Sequence, residues 1–185
     1  MLKFDFQPEK ALQAAGVVLR YHGKQVGMMR LLKILYIADR ELLAATGRTL
    51  TGDRAVAMEN GPVLSRTYNY AKQQADGSQS WGQVIERNGY RLTLTGDIGL
   101  GKLSRREVGK LQEVCERYHD VEDFDLSNLT HKFAEWDKAF DRTNPKSSFP
   151  IDWELALSDQ GKADMIDVAK QEAEVARALT AAFGR

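Results

Sequence analysis

The chain has 185 residues, the length of one domain with room for a sizeable single core. Lys and Arg number 26, as do Asp and Glu, so the formal net charge is zero. That argues against a free-standing nucleic-acid binder, whose affinity rests on a basic excess.

Cys115 is the only cysteine, which excludes an internal disulfide and a thiolate metal cluster and suits a reducing cytoplasm. No apolar run approaches the roughly 18 residues of a membrane span. The N-terminal MLKFDFQPEK lacks the basic-then-apolar build of a signal peptide. The expectation is a cytoplasmic, single-domain globular protein.

In chain order, Pro8 suits the first position of a helix carrying Ala11, Leu12, Ala15, Val18 and Leu19 up to Tyr21. Gly23 and Gly27 bracket a polar connector. The clearest helix follows, MMRLLKILYIADRELLAATG. Its stripe is Met28, Leu32, Leu35, Leu42 and Leu43, widened by Leu31, Ile34 and Ile37, and Gly47 supplies a left-handed stop. A short extended stretch, AVAME, leads to an Asn60-Gly61 turn, with Pro62 at the first position of another helix, PVLSRTYNYAKQQ. GQVIERNGYRLTLT reads as a hairpin turning at Asn88-Gly89.

Beyond it, Val108, Leu111, Cys115 and Tyr118 share one helical face. Leu129, Phe133, Trp136 and Phe140 form another stripe. DRTNPKSSFP is loop-like. A last helix runs from about residue 162 to 183, with Ile166, Ala169, Ala173, Ala176 and Leu179 as its apolar positions. The sum is a mainly α fold of about six or seven helices with one small β-hairpin. No repeat or linker divides residues 1–185.

Three features invite a chemical reading. Gly96, four residues and then Gly101-Lys102 have the spacing of a phosphate-binding loop, and a nucleotide-binding enzyme using this loop is the alternative reading. Leu103 occupies the position where such a loop needs a Mg²⁺-holding hydroxyl, and Ser104 instead opens a capping box with Glu107. The second feature is Asp39, on or beside an apolar stripe. A carboxylate there needs a partner, and Arg54 across the following loop is the candidate. The pair reads as a polar clamp on that loop in preference to an active-site acid.

The third feature is the histidines, His22, His119 and His131, which are far apart; His131 and Glu135 read as a surface pair on one helix. Cys115 and Trp136 read as core, and Trp81 and Trp153 as core caps or partner anchors. No catalytic, cofactor-binding or metal-ligating residue is expected.

Four stretches, LLKILYIADRELLAATGRTLTGD (31–53), VAMENGPVLSRTYN (56–69), LSRREVGKLQEVCERY (103–118) and LSNLTHKFAEW (126–136), resemble in that order the Panacea domain. This is the SocA-like family of antitoxins of bacteria and their prophages. The family commonly has His-Gly-Pro where this chain has Asn60-Gly61-Pro62, a change that keeps the turn and removes any role for that histidine.

The resemblance implies a mostly helical, non-enzymatic antitoxin of a type II toxin–antitoxin pair. It would bind a cognate protein toxin and could act as an adaptor to a ClpXP-type protease. The matching positions are Asp39, Arg40, Gly47, Gly52, Asp53, Gly61, Pro62, Leu129, Thr130, His131 and Trp136. Caps, turns and core account for most of them, leaving Arg40, Thr130 and His131 as expected exposed partner contacts.

Overall fold

The computed structural model describes residues 1–183. Helix α1 (Pro8–Tyr21) opens on its proline and is followed by strand β1 (Gln25–Gly27) and helix α2 (Met28–Thr46). Gly47 ends α2 in the left-handed conformation, φ +75°, as a C-cap glycine does. Strands β2 (Ala55–Met58) and β3 (Gly61–Leu64) and helices α3 (Ser65–Ala71) and α4 (Gln79–Val84) come next. Strands β4 (Ile85–Asn88) and β5 (Arg91–Leu94) precede α5 (Arg105–Arg117). The chain continues through α6 (Asp123–Thr130), α7 (Ala134–Ala139), β6 (Phe149–Pro150), α8 (Trp153–Asp159) and α9 (Met165–Phe183).

The fold is therefore mixed α/β, which corrects the mainly α expectation: the described residues form nine helices and two three-stranded antiparallel sheets. One sheet has the order β1-β5-β4, the other β3-β2-β6. The missed strands are two to four residues long, too short for an alternating pattern, and β3 is buried along its whole length. Pro62 lies in β3, opposite Ala57, and not at a helix start. An edge strand tolerates it because one row of its N–H groups faces away from the ladder.

The other hairpin is where the sequence places it, one residue out of register. Asn88 pairs with Arg91, so Gly89 and Tyr90 make the turn and Gly89 carries the positive φ of +61°. The stripe Leu129–Phe140 is not one helix; it breaks at residues 131–133 between α6 and α7. In α9 only Ala169 and Ala173 are buried, and the predicted face position Leu179 is exposed.

Helix α2 runs through the middle, packed by α1, α5, α6, α8 and β3. Such a helix must be apolar nearly all round, and this explains its wide stripe. All three tryptophans are core residues, as is Cys115, whose thiol burial pushes up to about 12. Ser104 and Glu107 form the expected reciprocal capping box on α5.

The glycine-rich loop before α5 is fastened to α1. The Lys102 ammonium pairs with Glu9 at 3.1 Å, its amide donates to the Gln13 Oε1 at 2.8 Å, and Ile98 packs on Gly16. Gly96, Gly99 and Gly101 all have ordinary φ values, so these glycines do not use the left-handed conformations a phosphate nest needs.

Candidate functional site

Three charged side chains of α2, Lys33, Asp39 and Arg40, are buried, and each ties the helix to a different segment. Arg40 Nε donates to Glu135 Oε1 at 2.6 Å, and its Nη2 reaches Glu135 Oε2 at 3.3 Å and the Asp159 carboxylate. The Tyr36 hydroxyl donates to the same Glu135 at 3.0 Å, and the guanidinium lies 4.2 Å over the Phe133 ring. Burial alone would lower the Arg40 pKa, but the hydrogen bond and charge of Glu135 raise it. Burial, then Glu135, raises the Tyr36 hydroxyl well above its ordinary value.

Two expectations fail here. Arg40 is 7% exposed and Thr130 0% exposed, so neither is a surface contact. Glu135, also 0% exposed, belongs to Arg40 and not to His131, because the break between α6 and α7 turns the two residues apart.

Asp39 is a clamp, but not with Arg54, which is exposed. Its carboxylate accepts from the Leu50 amide, the Thr51 amide at 3.0 Å and the Thr51 hydroxyl at 2.6 Å. Burial pushes the Asp39 carboxyl up to about 7 against the pull of these donors. Asp53 repeats the device, accepting from the amides of Arg66 and Thr67 and so capping α3 from a distance. Backbone donors suffice because the loop folds back over the helix, which sequence separation does not reveal.

The Asn60-Gly61-Pro62 segment is gripped from three sides. Ser127 Oγ donates to Asn60 O at 2.7 Å, Trp136 Nε1 to Met58 O at 3.0 Å, and Lys33 Nζ to Pro62 O at 2.8 Å. Gly61 has φ +89°, and a Cβ there would lie 2.5 Å from Thr130 Oγ1 and 2.9 Å from Lys33 Nζ. His131 stacks on Trp136 with ring centres 4.1 Å apart, and its Nε2 is buried without a hydrogen-bond partner. Burial is the first cause lowering its pKa, followed by Lys33.

Gly61→Ala is expected to cost about 2–4 kcal/mol, since it combines a disfavoured φ with two hard contacts. Urea unfolding checks it, and a cost under about 1 kcal/mol would mean that the hairpin tip relaxes away from α6.

Against this hairpin lies a cleft of about 580 Å³. Its walls are the start of α2, the β2–β3 turn, α3 and the β4–β5 turn. Lys33, 1% exposed, lines it beside Met28, Met29 and Leu32. Sequence reasoning passed over Lys33, although a lysine inside the all-round apolar run LLKILY is the signal that marks it. Among the described residues, no group of three or more His, Cys, Asp or Glu side chains is placed to hold a metal ion, and no helix is long and apolar enough to cross a membrane.

The fold and the cleft define a small α/β domain with a recess built from side chains of a central helix and two hairpin tips. The family model described as antitoxin SocA-like, Panacea domain, matches residues 31–137, and the chain belongs to that family. The matched span includes all but the first three residues of α2, both hairpins and the α6–α7 corner. No curated protein and no solved structure matches the chain.

Proposed function

We propose that this chain is the antitoxin of a type II toxin–antitoxin pair, acting in the bacterial cytoplasm by binding a toxin encoded beside it. It works as a binding module and not as a catalyst. The observation that carries the reading is the family match over residues 31–137. The convergence of α2, the β2–β3 hairpin and the α6–α7 corner adds support, since hydrogen bonds join matched segments that are far apart in the sequence. Direct binding would occlude the toxin's working surface through a few buried anchors.

The test is coexpression with the product of the neighbouring gene. Growth arrest by that product alone, relieved by this chain and accompanied by copurification, is the expected result. Arrest that persists would overturn the reading. Following the toxin by immunoblot separates two modes: constant levels mean sequestration, whereas levels that fall and recover in cells lacking ClpXP mean delivery to that protease.

A further inference from the structure

We propose that the Lys33 cleft is the toxin-docking site and that it receives a toxin segment carrying an apolar side chain flanked by Asp or Glu. The proposal rests on the reading of the chain as a toxin-binding protein.

The interior of the cleft is apolar and deformable: Met28, Met29, Leu32, Met58 and Tyr68 line it. Thioether side chains repack around differently shaped guests at little cost. A volume of about 580 Å³ suits one anchoring side chain with its neighbours.

The rim supplies the charge. Lys72, Arg87 and Lys146 stand around the opening against a single acid, Glu59. The ion pairs among the described residues include none of these four side chains. Arg87 uses its donors on the carbonyls of Lys72 and Gly89, which orients it without neutralising it. In a chain of zero net charge this concentration of unpaired cations is local, and it complements an acidic guest.

Lys33 is the independent second observation. Its ammonium can donate three hydrogen bonds, and Pro62 O takes one. A carboxylate brought to the cleft would favour the protonated amine and be attracted to it across little water. Burial lowers the Lys33 pKa to about 7, so the amine is held at a cost that an apolar residue of the same length would not incur. A long apolar side chain would fill the same space but leave Pro62 O without its donor, so the lysine serves the fold through that one bond and keeps its other donors for a guest.

The test measures the affinity of the purified neighbouring-gene product for three variants by calorimetry, with melting temperatures recorded alongside. Lys33→Met should weaken binding at least tenfold at a temperature where its melting curve shows it fully folded. The double reversal Lys72→Glu/Lys146→Glu should weaken it at least as much and flatten its salt dependence, and it decides the matter if Lys33→Met fails to fold. Lys102→Glu, on the face next to α1, should bind as wild type.

Wild-type-like binding by both cleft variants would overturn the docking site while leaving the antitoxin reading intact. If the wild-type chain itself neither binds nor neutralises, both fall together. Displacement of the toxin by a short single-stranded oligonucleotide would assign the cleft to nucleic acid and also overturn the proposal.

Discussion

Arg40→Ala is expected to lower the unfolding free energy by about 3–5 kcal/mol, the largest single loss we anticipate from removing an ion-pair partner. The reason is what it leaves behind. Glu135 is 0% exposed and would retain only the Tyr36 hydroxyl, 3.0 Å away. A buried carboxylate with one donor has lost the partner that offset its desolvation.

Glu135→Ala should be milder, about 2–3 kcal/mol, because Arg40 keeps Asp159, whose side chain is 31% exposed and already partly hydrated. Urea titration of both variants, with the double Arg40→Met/Glu135→Leu, gives the ranking. Replacing both partners by apolar groups of similar length should restore much of the loss, since no charge is then left unpaired. A loss under about 1 kcal/mol for Arg40→Ala would mean that water reaches Glu135 and that the cluster is not sealed.

Asp39→Ala should cost about 2–4 kcal/mol by orphaning two buried amides and the Thr51 hydroxyl at once. Asp39→Asn separates the charge from the hydrogen bonds. Its carbonyl can still accept from Leu50 and Thr51, and the Thr51 hydroxyl can turn to accept from its amide, so the loss should be about 1 kcal/mol or less at neutral pH.

The sign of the pH effect follows from burial. The folded Asp39 carboxyl is raised from 3.8 to about 7, so the folded chain holds a proton that the unfolded chain releases between those values. Its contribution is therefore fully present below about pH 4 and is lost as pH rises through 7. Wild type should fall relative to Asp39→Asn across that window, as read from melting temperatures at pH 4, 5, 6 and 7. A difference that stays constant would show that the three donors hold the carboxyl ionised throughout.

Legibility in the sequence differed by the kind of force involved. The capping box at Ser104, the left-handed stop at Gly47 and the proline start of α1 are local, decided by residues within one turn of each other, and each appears where the sequence places it. The stripe of α2 was equally plain, since burial on nearly every side leaves an apolar run that no other pattern imitates. The short strands were not legible. Gln25–Gly27 and Phe149–Pro150 are extended because β5 and β2 pair with them, and neither segment carries a strand pattern of its own.

The polar site residues divide in the same way. That Asp39 needed a partner could be argued from a carboxylate beside leucines. That the partners are Leu50 and Thr51, not Arg54, depends on how the loop returns over the helix. Arg40 and Thr130 looked like free surface contacts only because Glu135, Asp159 and Gly61 lie far from them in sequence.

By itself the sequence determined the family, the helix ends and the apolar axis of the fold, because these rest on neighbouring residues and on composition along one helix. Tertiary structure alone decided which strands complete the two sheets, the pairing of each buried charge and the placing of Lys33 under Gly61 at the start of β3. Those depend on segments tens of residues apart meeting in space, and a buried polar group takes whichever donor or acceptor the packing brings to it.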